Sequence, residues 1–190
     1  MQILIALLLI ACVASAQAEP IAGQTTVIDG DTIEIHGKRI RLNGIDAPES
    51  RQTCERADGS PYRCGKNAAF ALSDFIARGT VFCERRGVDR YKRTIAVCQV
   101  RGGDIGAWLI RTGHALAFRR YSTDYVAEET AAQDAKAGMW QGRFVPPWDW
   151  RRGVRQPWLC EVRPTGTTFL YGRWRVNCPN LWRRAPPAST

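Results

Sequence analysis

Residues 27–49 read VIDGDTIEIHGKRIRLNGIDAPE, and their alternation decides the fold. Over 31–36, Ile33 and Ile35 share one face of a strand, and Asp31 has the same parity. Over 39–45, Ile40 and Leu42 face one way and Arg39 and Arg41 the other. Asp29-Gly30 is a strong tight-turn signal between apolar runs, and His36-Gly37-Lys38 is a second. Strands are therefore expected at 24–28, 31–36 and 39–45. Gly44 can introduce a bulge, so the parity stops short of Asp46. The same stretch gathers five carboxylates, Asp29, Asp31, Glu34, Asp46 and Glu49, in a chain of formal charge +9.

Downstream, SRQTCERADGSPYRC (50–64) is a polar loop long enough to carry function. Ala68, Leu72, Phe75 and Ile76 lie at helical spacing, so 66–78 is read as a helix ended by Gly79. Strands follow at 80–85 and 94–100, then helices at 104–112 and 124–137, the last closed by Gly138. Three strands, a helix, two strands and further helices make an α+β domain on a small, strongly bent sheet or barrel. VPPWDW (145–150) marks its boundary. Beyond it, Cys160 and Cys178 enclose TTFLYGRWRV, a candidate disulfide-closed hairpin.

The chain has 190 residues, room for one ordinary domain and a small extension, and 45% of them are hydrophobic, enough for a core. Residues 1–18 carry no charge. ILIALLLIA (3–11) and AQA (16–18) match the apolar core and small-residue cleavage site of a secretory signal. The run is short for a bilayer span. No Lys or Arg precedes it, and a buried N-terminal strand is the competing reading. LIAC, ending at Cys12, offers a lipoprotein cleavage box as a second export route. Without residues 1–18, cysteines 54, 64, 83, 98, 160 and 178 remain. An even count in an exported chain points to disulfides, and 54–64, 83–98 and 160–178 are the simplest pairs. There is no C-x-x-C and there are only two histidines, which argues against zinc. Residues 151–190 hold eight arginines and one glutamate, so most of the basicity is C-terminal. Arginine outnumbers lysine 23 to 4, which suits phosphate, although a high-GC genome gives the same bias.

Two carboxylates held close repel each other unless a cation lies between them, and oxygen donors favour Ca2+ or Mg2+. Asp31 and Asp46 are the candidates. The plainer alternative is that these acids cap turns, which is the reading taken for Asp29 and Glu34. Arg41 lies on a strand between the acidic clusters, and Arg93 stands in DRYKRTIAV just ahead of the fifth strand. Both could be surface ion-pair partners of little energetic weight. Beside a cation, two guanidinium forks are what phosphodiester cleavage requires, and Glu49 could place or deprotonate the water. His36 and His114 lack metal-ligand spacing to any partner and are read as structural.

VIDGDTIEI…RIRLNGIDAPE followed by DRYKRTIAVC resembles the staphylococcal nuclease (thermonuclease-like) family. GHALAFRRYSTDYVAEETAAQDAKAGMW extends the likeness to about residue 142. The resemblance implies an OB-type five-stranded β-barrel with three helices, and hydrolysis of DNA and RNA with one Ca2+. It implies metal-binding carboxylates at Asp31 and Asp46, and a backbone-carbonyl ligand at Ala47, where the archetype has Thr. It also implies catalytic arginines at Arg41 and Arg93 and a catalytic glutamate at Glu49. Tyr91 matches a tyrosine that touches substrate phosphate, and Phe118 or Tyr121 matches a base-stacking aromatic. Lys92 stands where Gly is common, and the 50–64 loop with its cysteines departs from the archetype.

The expected organisation is a signal peptide (1–18), a thermonuclease-like domain (19–147) and a basic, Trp-rich extension (148–190), with no transmembrane segment in the mature chain. The expected function is an exported, Ca2+-dependent endonuclease acting on DNA, RNA or both. The alternatives are a non-catalytic nucleic-acid-binding OB module and an envelope-associated binding protein, in which the extension holds the ligand by phosphate contacts and stacking. The filled acid and arginine positions favour the enzyme.

Overall fold

A computed structural model describes residues 21–155 and, beyond them, the backbone pairing of β12 (Leu170–Tyr171) with β13 (Trp174–Arg175). The signal segment, Cys12 and the expected Cys160–Cys178 bridge lie outside the described residues. The first strands are β1 (Ile21–Gly23), β2 (Thr25–Val27), β3 (Thr32–Ile35), β4 (Lys38–Leu42) and β5 (Ile45–Asp46). A small pair, β6 (Cys54–Glu55) and β7 (Pro61–Tyr62), precedes helix α1 (Cys64–Ile76). Then come β8 (Val81–Val88), β9 (Thr94–Val100), β10 (Gly103–Asp104), α2 (Ile105–Arg111), β11 (Leu116–Ala117), α3 (Val126–Asp134), a 3-10 turn (Gly138–Gln141) and α4 (Pro147–Arg151). None of the described helices is long and apolar enough to cross a membrane.

The β3–β4 hairpin follows from its sequence. Ile35 pairs with Lys38, and His36 and Gly37 between them take φ of 49° and 74°, as a tight hairpin turn of the twist-matched kind requires. Ile33, Ile35, Ile40 and Leu42 all point into the core. There they meet Leu72 and Ile76 of α1, Val81, Ala96 and Val100 of the long strands, and Leu109 and Ile110 of α2.

Asp29-Gly30 joins antiparallel β2 and β3 as expected, but with a wider connection than a two-residue turn. Residues 28–31 join β2 to β3, and Gly30 has no positive φ. Asp29 Oδ1 accepts a hydrogen bond from the Asp31 amide at 3.0 Å, a local Asx turn, which keeps Asp29 structural. The glycine serves close packing instead. A Cβ there would lie 2.7 Å from the Ala47 methyl and 2.9 Å from that of Ala68. Glu34 is structural as well: it pairs with Arg39 across the hairpin at 3.8 Å.

The strand pairing meets the barrel expectation only in part. Seven strands pair in the order β1-β8-β9-β4-β3-β2, with β10 on β9, and only β4 with β9 is parallel. This ladder does not close. Its two ends, β1 and β2, are consecutive in the chain with Gln24 alone between them, so a covalent link spans the gap. The first strand expected at 24–28 is β2, and β1 ahead of it, with a different partner, adds to the expectation. Among the described residues there are four helices rather than three, the fourth opened by Pro147 at a position where a missing N–H costs nothing.

Disulfides Cys54–Cys64 and Cys83–Cys98 form as expected, the second between directly paired residues of β8 and β9. The first restrains the 50–64 loop, which Gln52 also pins from within. This fully buried side chain donates to the Val145 carbonyl at 2.6 Å and accepts from the Glu49 amide at 3.2 Å.

Helix α1 begins hard against this segment, for a Cβ on Gly65 would fall onto the Glu49 carbonyl oxygen. Gly65→Ala is therefore expected to destabilise the fold by roughly 1–3 kcal/mol in chemical denaturation, despite alanine's higher helix propensity. Unchanged or raised stability would show that the Glu49 backbone is free to shift.

Candidate active site

The register of the hairpin sets the floor of the site. Thr32 pairs with Arg41, so Asp31, one residue earlier, lies at the same end of the sheet as the Arg41 guanidinium. Strand β5 brings in Asp46 by pairing with β11, where Leu116 opposes it. Arg41 bridges the two acids: Nη1 donates to Asp31 Oδ1 at 3.1 Å, and Nη2 lies 3.0 Å from Asp31 Oδ2 and 2.9 Å from Asp46 Oδ1. Asp31 also accepts from the Thr32 hydroxyl and from the Ala47 amide.

Both aspartates are buried, Asp46 completely. Burial pushes the Asp31 carboxyl up to about 7, against the pull of Arg41, while the neighbouring Asp29 and Asp46 charges add to the rise. Two hard oxygen donors facing this cost are a fitting pair for a divalent cation. No group of three or more His, Cys, Asp or Glu forms a ready-made cluster among the described residues.

Glu49 stands at the rim, with its side chain 43% exposed. Its partner is a residue absent from the sequence reading. Arg151, the last residue of α4, donates from Nη1 to Glu49 Oε1 at 2.7 Å and contacts both Asp46 oxygens, at 3.1 and 2.6 Å. Burial works against the Arg151 charge, but the hydrogen bonds and charges of Asp46 and Glu49 outweigh it and hold the guanidinium above its ordinary value. In sequence Arg151 is one arginine of a basic run, over a hundred positions from its partners, and no local pattern marks it.

Asp31, Arg41, Ala47 and Glu49 line one cleft of about 1530 Å³ together with Arg93 and Tyr91. Arg93 makes no direct contact with the acids. It is held by Asp89, whose Oδ2 takes Arg93 Nε at 2.7 Å and whose Oδ1 takes the Tyr91 and Arg93 amides. Asp89 escaped the sequence reading although it opens the DRYKR motif. Lys92 adopts φ of 64°, the left-handed region that favours glycine, and closes this turn by donating to the Asp89 carbonyl. Tyr91 is exposed, and the Arg93 guanidinium lies 5.5 Å from its ring centre.

The same cleft is lined by a cluster of aromatic rings. Phe118 stacks on Trp148 with ring centres 5.8 Å apart and meets exposed Tyr121 edge-on at 5.0 Å. Trp148 and Arg151 thus reach the site from the far side of the expected 147/148 boundary.

Residues 39–142 match the family model described as "Staphylococcal nuclease homologue". The match includes Arg41, Asp46, Glu49 and Arg93 and excludes Asp31 and Arg151. The chain is similar to the succinoglycan biosynthesis protein ExoI of Rhizobium meliloti, at 44% identity over 66% of this chain and 68% of the relative. It is 32% identical to an uncharacterized endonuclease of Haemophilus influenzae, over 66% and 70%. It is 33% identical to a micrococcal nuclease of Shigella flexneri, over 68% and 79%. With the family model covering more than half of its length, the chain belongs to the staphylococcal nuclease homologue family.

Proposed function

We propose that this protein is an exported, Ca2+-dependent endonuclease that hydrolyses phosphodiester bonds of DNA, RNA or both. The observation that carries the reading is the buried Asp31–Arg41–Asp46 group at the floor of a cleft rimmed by Glu49, Arg93 and aromatic rings. The nuclease names of its relatives and the two disulfides, which suit an oxidising compartment, support it.

Asp31, Asp46 and the Ala47 carbonyl would hold the calcium ion, which supplies a Lewis acid for a phosphoryl oxygen. Arg41 and Arg93 approach the phosphate as two charged forks and offset the negative charge that builds on it as water attacks phosphorus. Asp89 fixes Arg93 in advance, so little side-chain freedom is lost on binding. Glu49 takes the proton of the attacking water or holds that water in line. Tyr91 meets phosphate at the edge of the cleft, and Tyr121, with Phe118 behind it, offers a face on which a base stacks.

The purified protein is expected to cleave DNA or RNA with Ca2+ and to lose that activity in chelator. Asp31→Ala and Arg93→Ala are each expected to slow cleavage by about 100-fold or more. Wild-type protein without metal-dependent cleavage would sink the enzyme, and cleavage surviving both substitutions would sink this site.

Asp31 also gives the metal-free protein a signed pH dependence. The folded state keeps the Asp31 proton up to about 7, whereas the unfolded state releases it near 3.8. Between these values the native state binds more protons, so stability falls as pH rises through the window. Relative to Asp31→Asn, wild type in chelator should lose on the order of 2–4 kcal/mol between pH 4 and pH 7. Parallel stability profiles for the two proteins would mean that Asp31 carries no such burial cost.

A further inference from the structure

The chemistry above leaves one strong contact of the site unused: Arg151 on Asp46 and Glu49. Asp46 is fully buried, and its Oδ1 already accepts from Arg41. Arg151 adds a second donor to Oδ1 and one to Oδ2. A carboxylate offers about four lone-pair directions, so Arg151 leaves Asp46 with little to give a metal. The charges agree with the geometry. Without Arg151, Glu49 loses the guanidinium it pairs with and Asp46 keeps Arg41 alone, and a cation fits the vacated place. A guanidinium and a divalent ion on the same oxygens would repel each other in a poorly screened pocket.

Arg151 is also built to leave. Its side chain is 38% exposed, which opens a path to solvent. Helix α4 has anchors of its own in the Trp148–Phe118 stack and, just ahead of it, the Val145 carbonyl held by Gln52. The side chain can swing away while the helix stays.

We infer that Arg151 is a built-in counter-cation: it satisfies Asp46 and Glu49 in the metal-free protein, must leave Asp46 when a divalent ion binds, and so sets the affinity of the site for that ion. The inference rests on Asp31 and Asp46 being the metal pair.

The test is calorimetric titration of the full chain with CaCl2 at fixed ionic strength, without nucleic acid. Arg151→Ala and Arg151→Gln are expected to bind Ca2+ roughly tenfold tighter than wild type or better. The glutamine variant keeps the side-chain length in case the alanine variant folds poorly. Arg152→Ala removes the same charge one residue on, where the partner is Asp149, and should stay within about twofold of wild type. Affinity unchanged or weakened in both Arg151 variants overturns the inference, as does an equal gain in Arg152→Ala, which would reduce the effect to net charge. Loss of cleavage at unchanged affinity also overturns it and makes Arg151 a substrate group. No binding by wild type or by any variant would instead remove the metal pair itself, and the inference with it.

Discussion

Two like charges buried side by side are the constraint around which this protein is arranged. Asp31 and Asp46 come from different strands, and neither could stay in the interior uncompensated. Arg41 meets both because the hairpin register puts it beside Asp31 and the β5–β11 pairing swings Asp46 toward it. The close packing at Gly30 and Gly65 presses α1 onto the backbone of the same acidic stretch. Loosening either contact would alter the spacing on which the charge balance depends. In the absence of a cation that balance is completed from the other end of the domain, by Arg151.

The rest of the cleft is organised by local rigidity more than by burial. Arg93 sits on a turn that Asp89 ties by three hydrogen bonds, and the left-handed Lys92 completes it. In the same cleft, the Phe118–Trp148 stack joins β11's exit to α4. The cleft lining thus combines fixed positive charge with flat rings, the pair of features that a strand of nucleotides can use at once. The two features come from separate parts of the chain and are brought to the same cleft by the sheet.

Alternation made β3 and β4 legible, because a half-buried hairpin writes its two faces into every second residue. The short-range disulfides were legible for a similar reason: their partners are close in sequence and lie in neighbouring elements. The acids and arginines of the site could be named because their motifs are local, and the structure places Asp31, Arg41, Asp46, Ala47 and Glu49 in mutual contact or in series, with Arg93 further along the cleft. What stayed hidden depends on contacts made at long range. Gln52 bonds to a carbonyl 93 positions away, and Arg151 to a carboxylate 105 positions away. Asp29-Gly30 was legible as the link between β2 and β3, but not the packing of its glycine, which answers to Ala47 and Ala68 beyond the reach of a local turn rule.

The break at Gln24 has a consequence for the protein in bulk solution. The two ends of the ladder are strands of only three residues, consecutive pieces of one kinked segment, and neither offers a long row of unpaired amides. Where β8 runs on past β1, Glu84, Arg85 and Arg86 and the bulge between Arg85 and Gly87 interrupt the edge instead. The fold therefore blunts its edges with a bend at the ladder's ends and with charge and a bulge on β8. Protection against edge-to-edge association thus comes from the same feature that leaves the ladder open.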